Sequence, residues 1–290
     1  MPGAAPQIQY RQEFVLGFQK RQSLLKDTTT KEMQVKGNQA TFLVANTSGT
    51  ASTRGVNGLI PASDNDNTQV TATLAEKHDL RRMTGFNIFQ SQADQRAIMQ
   101  MNTMSVINND MDAAILAELA NGTLDTGATA TAAASSGAIV SKAIAQLINN
   151  GVPWDGNIFA VVTAAFMEYL SQLAGFASAD YVNVKPFVNY PGQNAGNEKA
   201  PGQGWYEWKG VKWIMSSQIT GAGTSSELCY MYHRSAIGHA VNSAGIDSQI
   251  GYDGEQDYSW ARCSLFHGAK LLQNTGVVRM LHDGSAFVAT

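Results

Sequence analysis

The pattern of apolar and polar positions along the 290-residue chain is most regular between Ser91 and Asn121. No proline or glycine interrupts this stretch, and Ala97, Met101, Met104, Met111, Ile115 and Leu119 recur at helical spacing. Ser91 with Asp94 fits an N-terminal capping signal, and Asn121-Gly122 fits a left-handed stop. The expectation is one helix about 45 Å long, a spine rather than an ordinary helix of about 11–12 residues. Before it, Thr41–Ala45 and the alternation of Val70, Ala72 and Leu74 read as two strands. They bracket a run dense in Gly, Ser, Thr, Asn and Asp, so a long projecting hairpin is expected. Glu76–Arg82 reads as a charged hinge and Thr123–Ser136 as a linker of small residues.

Further along, Ile139 to Ile148 repeats at helical spacing and ends at Asn150-Gly151. Ile158–Thr163 reads as a buried strand running into a helix over Ala164–Leu173. Trp205–Met215 reads as a hairpin turning at Lys209-Gly210, and Leu228–Tyr232 as a strand. A short helix is expected near Ser235–Val241, and strand-like runs from Asp257 to Ala286. Residues 1–40 show no sustained period and read as an extended arm. Helices and strands in this order give a mixed α+β chain with an α/β layer in its middle.

Charged residues make up only 15% of the chain, below the usual quarter, which points to surface covered by partners. A net charge of −3 gives no basis for sequence-wide nucleic-acid binding. The charge is uneven. Residues 1–36 hold six basic against three acidic residues, while the spine holds Arg96 against Asp94, Asp110, Asp112 and Glu118. A basic arm and an acidic helix attract each other, within one subunit or between neighbours. No secretory signal and no apolar run of membrane-spanning length is visible, and two cysteines make no disulfide framework.

Candidate chemistry is sparse. Cys229 with His233 and Cys263 with His267 form two Cys-x-x-x-His pairs, a donor set that suits tetrahedral zinc. Buried thiols and hydrogen-bonded histidines in strands are the plainer reading. There is no nucleophile elbow, Walker loop or dinucleotide fingerprint, and no enzyme activity, cofactor or metal is expected. Asp64–Asn67 is better read as a turn than as half a calcium loop. Trp205, Trp208 and Trp213 read as hairpin and core packing.

Four runs, taken in order, resemble the major capsid proteins of tailed bacteriophages with the HK97-type fold, those of short-tailed phages most. They are Tyr10–Leu24, Thr53–Pro61, His78–Leu80 with Gly85–Phe89 and Ile115–Leu119, and Tyr258–Gly268 with Val277–Met280. The resemblance implies an N-terminal arm (1–40), an extended loop (41–76), a peripheral domain with the spine (77–127), an axial domain (128–256) and return strands of the peripheral domain (257–290). It implies a structural protein that self-assembles through hexamers and pentamers into an icosahedral shell around packaged double-stranded DNA. A scaffolding protein, a portal and a decoration protein are the further partners it suggests, with DNA contacted non-specifically and no membrane. Assembly in the host cytoplasm and residence in the virion follow. Arg54, Asn57, Lys77, Arg81 and Arg82 are the candidate intersubunit contacts. An encapsulin-type compartment shell and a zinc-dependent enzyme using Cys229, His233, Cys263 and His267 are the alternatives.

Overall fold

The computed structural model describes residues 23–45, 51–61, 67–90, 94–177 and 206–288. In chain order the strands are β1 (Thr30–Val35), β2 (Gln39–Ala45), β3 (Asn67–Thr73), β4 (Ala75–Thr84), β5 (Leu124–Ala130), β6 (Ile158–Val162), β7 (Tyr206–Trp208), β8 (Val211–Met215), β9 (Glu227–His233), β10 (Ile237–Asn242), β11 (Asp247–Asp253), β12 (Tyr258–Leu271) and β13 (Val277–His282). The helices are α1 (Gly85–Gln90), α2 (Gln95–Ala120), α3 (Ala133–Asn149), α4 (Ala164–Ser171), α5 (Ala174–Ala177) and α6 (Ser285–Val288). They form two sheets, with β2 and β3 as a separate antiparallel pair.

The first sheet is organised by β12. β4 runs antiparallel along one of its edges, and β11 followed by β10 occupies the other. β1 adds in parallel to β10. The second sheet has the order β5-β13-β9-β6-β8-β7. β6 is buried at every position, and the main hydrophobic core gathers around it with α3, α4 and the end of the spine. Trp208 and Trp213 are buried in that core, as their packing reading requires, and Trp205 lies outside the described residues. The β7–β8 hairpin turns where expected. Lys209 and Gly210 have φ of 54° and 71°, the double left-handed geometry of a type I′ turn.

The spine, α2, is 26 residues and about 39 Å long. It starts later than the sequence suggests. Asp94 is itself the cap, its carboxylate accepting from Ala97 N at 3.2 Å, and Ser91 lies outside the described residues. Its end also differs. Asn121 keeps a right-handed φ of −75°, and Gly122 is not in the left-handed region. Glycine is needed there for room. A Cβ on Gly122 would sit 2.9 Å from Val277 Cγ1.

The buried face of the spine matches the predicted stripe at Met111, Ile115 and Leu119 but departs from it in the first half of the helix. Gln95, Met99, Thr103, Ile107, Met111, Ile115 and Leu119 are all buried, an unbroken ridge of period four. At 100° per residue such a ridge drifts about 40° per step and winds around the helix. Its middle meets Val241, Cys263 and Leu265 of the first sheet, and its end enters the core of the second. One helix therefore serves two cores. Met101 and Met104, which the predicted stripe would bury, are each 36% exposed.

Three further expectations fail for one reason, that pairing overrides local propensity. The charged hinge is β4, an edge strand whose alternating charges suit both the spine side and solvent. The linker of small residues contains β5, held in parallel to β13. The expected helix near Ser235–Val241 is a single 3₁₀ turn (Arg234–Ala236) followed by β10, central in the first sheet and buried from Ile237 to Val241. Within residues 1–40, the part from Ser23 is built into the fold: Leu25 is in the main core, Thr28 and Thr29 are buried, and β1 is a sheet strand. Residues 1–22 lie outside the described residues.

Candidate assembly surfaces

The β2–β3 hairpin is in register from Gln39 opposite Thr73 to Ala45 opposite Asn67. Its base is seated. Ala40 and Ala72 are buried with Val35 and Ala240, and Phe42 and Leu74 pack against them. A Cβ on Gly268 would meet Thr73 O at 2.2 Å, so β12 needs glycine where the hairpin crosses it. Away from this base the hairpin is uncovered. Leu43 is 75% exposed, and Val56, Leu59 and Ile60 in the distal loop are 107%, 76% and 64% exposed. That loop nevertheless has a defined turn, with Gly58 N donating to Gly55 O and Gly55 N to Leu59 O, and Gly58 at φ 77°. Three apolar side chains held in water on a defined turn form a surface made to be covered. The sequence signal for them, Val-x-x-Leu-Ile inside an otherwise polar run, was legible but lies outside the candidates named from sequence.

The five candidate contact residues divide between two places. Arg54 and Asn57 are exposed on this distal loop. Lys77, Arg81 and Arg82 lie on β4, each engaged within the subunit. Lys77 pairs with Asp110 of the spine at 3.3 Å, Arg81 with Asp79 at 3.3 Å, and the Arg82 guanidinium lies 4.9 Å from the Tyr258 ring centre. Exposed pairs of this kind contribute at most about 1 kcal/mol and can be exchanged for pairs across an interface.

A polar seam fixes the spine to β12, and sequence reading missed it. Arg96 Nε donates to Ser259 Oγ, Thr103 Oγ1 to Cys263 Sγ, His267 Nε2 meets Asp110 Oδ2 at 2.9 Å, and Leu271 N donates to Glu118 Oε2. The helix partners are seven or eight residues apart and the strand partners four. Seven helical residues rise about 10.5 Å and four strand residues about 13 Å, so the two repeats run nearly in step. A second missed residue is Asp112, buried on the spine. Its carboxylate accepts from Ser23 Oγ, Leu24 N at 3.1 Å and Leu25 N at 3.1 Å, tying the incoming chain to the helix.

The zinc reading is overturned by this arrangement. Cys229 and His233 belong to β9 in the second sheet, whereas Cys263 and His267 belong to β12 in the first. His233 contacts Ser235 Oγ and Asp155 Oδ1 instead, and Cys263 receives Thr103. Burial pushes the Cys229 thiol up to about 12, far from a metal-binding thiolate. Among the described residues no group of three or more His, Cys, Asp and Glu is placed to hold a metal ion. No described helix is long and apolar enough to cross a membrane.

A projecting hairpin, a spine laid along a β-sheet and a second α/β sheet beyond it define an HK97-like capsid fold. Solved structures agree. The chain is similar to that of Mycobacterium phage Che8, with 17% identity, 97% of this chain and 98% of that chain covered, and a TM-score of 0.75. It is similar to the capsid of the cyanophage P-SCSP1u (13% identity, 95% and 92% covered, TM-score 0.68) and to the mature capsid of bacteriophage PhiM1 (13%, 96% and 92%, 0.68). No curated protein sequence matches. The model of the phage capsid protein family matches residues 3–284. The chain belongs to that family, and it is a structural protein of a phage capsid.

Proposed function

We propose that this chain is the repeating subunit of an icosahedral shell that encloses double-stranded DNA, and that its β2–β3 hairpin is the part each copy lends to its neighbour. The observation that carries this is the uncovered apolar surface of the hairpin, Leu43, Val56, Leu59 and Ile60, standing on a base locked into the subunit. A contact in which one copy gives and the next receives closes into rings when its rotation closes, and such rings tile a shell of hexamers and pentamers. Arg54 and Asn57, on the same loop, take the polar contacts of that interface. Lys77, Arg81 and Arg82 offer an exposed charged edge to an adjacent copy. Residues 41–76 act as the extended loop, the spine and the first sheet as the peripheral domain, and the second sheet as the axial domain. A scaffolding protein, a portal and a decoration protein are its expected partners. DNA meets the inner face without base readout, as the low charge of the chain suggests. Assembly takes place in the host cytoplasm. An enzyme-loaded compartment has no observation in its favour.

Size measurement tests the reading. Light scattering and negative-stain microscopy of the expressed protein, with and without scaffold, should reveal capsomers, shells or tubes. A monodisperse monomer at micromolar concentration would sink it. Deletion of residues 48–66 should leave a folded subunit, since the described residues of that stretch are all exposed, and should abolish shells. Normal particles from that variant would show that the hairpin is not the connecting element.

A further inference from the structure

The distal loop of the hairpin also carries a reactive dipeptide. Asn57-Gly58 is one of three Asn-Gly pairs in the chain, with Asn121-Gly122 and Asn150-Gly151. In such a pair the glycine nitrogen can attack the side-chain carbonyl of the asparagine, because no Cβ on the glycine blocks its approach. The structure separates the three. Asn121 and Asn150 close helices α2 and α3. Asn150 Nδ2 donates to Gln146 O at 2.8 Å, and Gly151 N donates to Ile148 O at 2.9 Å. Gly122 is buried, its N donates to Leu119 O at 3.1 Å, and a Cβ on it would sit 2.9 Å from Val277 Cγ1. Each of these turns is anchored by a leucine of the main core, Leu119 or Leu147. Bringing their atoms together requires unwinding the end of a packed helix.

Asn57 stands apart. Residues 51–61 are all exposed, and the Asn57 side chain has no hydrogen-bond partner among the described residues. The nitrogen of Gly58 is held by one bond, to Gly55 O at 2.9 Å, and the loop by one more, from Gly55 N to Leu59 O at 3.0 Å. Both lie in water, where backbone bonds open at little cost. We propose that Asn57-Gly58 is a self-modifying site, which reacts in the unassembled subunit and is closed once the loop is covered. Gly58 N bonds to Asn57 Cγ, the Cγ–Nδ2 bond breaks, and ammonia leaves with the proton from Gly58 N. Water then opens the cyclic imide at either carbonyl. One opening leaves aspartate, and the other reroutes the backbone through the side chain as isoaspartate. Both products place a carboxylate near Arg54, which carries the one charge of residues 51–61. Isoaspartate also lengthens the backbone inside the turn that presents Val56, Leu59 and Ile60. The reaction thus alters the surface that an unassembled copy would lend to a neighbour. Its closure by assembly rests on the hairpin reading above, and the reaction itself does not.

Peptide mapping by mass spectrometry tests this. Unassembled subunits are held in mildly alkaline buffer made with heavy-oxygen water, so that every amide converted through the imide carries an oxygen label. Asn57 should convert at least about tenfold faster than Asn121 or Asn150, the ratio reading how much more readily its turn opens. Equal rates at the three pairs, or slower conversion at Asn57, would overturn the proposal. Asn57→Gln lengthens the side chain and disfavours the imide, so its loop peptide should stay unlabelled. Label acquired there at the parental rate would assign the reaction to another residue and overturn it equally. In assembled particles the Asn57 rate should fall at least about tenfold, and an unchanged rate in intact particles overturns the closure. If no particles form, the shell reading fails and the closure with it, while the ranking in free subunits still decides the reaction.

Discussion

Acid should destabilise the free subunit through His239, well before its carboxylates titrate. His239 lies in β10 between β1 and β12, is 1% exposed, and neither ring nitrogen has a hydrogen-bond partner among the described residues. His267 faces it at 5.7 Å between ring centres, and Lys31 and Lys26 lie on the incoming chain beside it. Burial first, then these three neighbouring charges, push its pKa from the ordinary histidine value down to about 4. The unfolded chain, at about 6.5, therefore binds a proton that the folded chain refuses, and stability falls as pH drops from 6.5 toward 4. Linkage over that window gives a loss of about 2 kcal/mol by about pH 5, and about 3 kcal/mol at the lower end. His267 and His282 are lowered too, both by burial acting against a carboxylate partner, so they add in the same direction. Asp155, lowered to about 2 by its bonds to Asn157, loses its contribution only below about pH 4, outside the window.

The assay is urea unfolding of unassembled subunits at about pH 8, 6 and 5, with the ring of His239 followed by NMR. His239→Leu removes the titrating group and fills the same apolar space. It should be more stable than the parent at neutral pH by about 1 kcal/mol, because an unpartnered buried polar ring is replaced by an aliphatic one. Its stability should also vary less with pH. A parental pH dependence retained in full by His239→Leu would refute the reasoning, as would a His239 ring that titrates near 6.5 in the folded protein.

Other consequences are more local. Asp112→Ala removes the acceptor of Leu24 and Leu25 N–H and of Ser23, so it should cost about 2–4 kcal/mol and raise hydrogen exchange over residues 23–29 before the rest of the chain. Gly122→Ala forces a Cβ against the buried, stiff Val277 at 2.9 Å and should cost about 1–3 kcal/mol in thermal unfolding. Val56→Asp with Leu59→Asp should leave subunit stability within about 0.5 kcal/mol, both sites being exposed, while shells disappear from negative-stain images.

What sequence could show depended on whether a segment's structure is set locally. The β7–β8 turn was legible because Lys209-Gly210 needs only its own backbone freedom. α3 was legible because its apolar repeat and Asn150-Gly151 stop are contained in one stretch. The β2–β3 hairpin was legible because two alternating runs flank a turn-rich one. β4, β5 and β10 were not, because each is a strand only by virtue of β12, β13 or β1 beside it. The candidate surface divides in the same way. Arg54 and Asn57 were placed on the exposed loop from its composition, but Asp112 could not be assigned from sequence, since an acidic residue in a helix reads as solvated until the chain that caps it is located.

The misread stripe of the spine carries the widest consequence. A period near 3.6 keeps one face of a helix against one surface, and that was the pattern sought. The ridge from Gln95 to Leu119 has period four, and over its length it turns about two-thirds of the way around the helix. A ridge of that period suits no single sheet. It suits a helix that leaves the cluster of Ile107, Met111, Cys263 and Leu265 and enters the core of Leu25, Ile115 and Leu119. The sides of this helix are thus assigned to different partners along its length, beside the direct contact that Ile237 and Leu271 of the first sheet make with the core of the second. Any roll of that helix must shift the seam to β12 and the Asp112 attachment together, because both are bonded to the same helix.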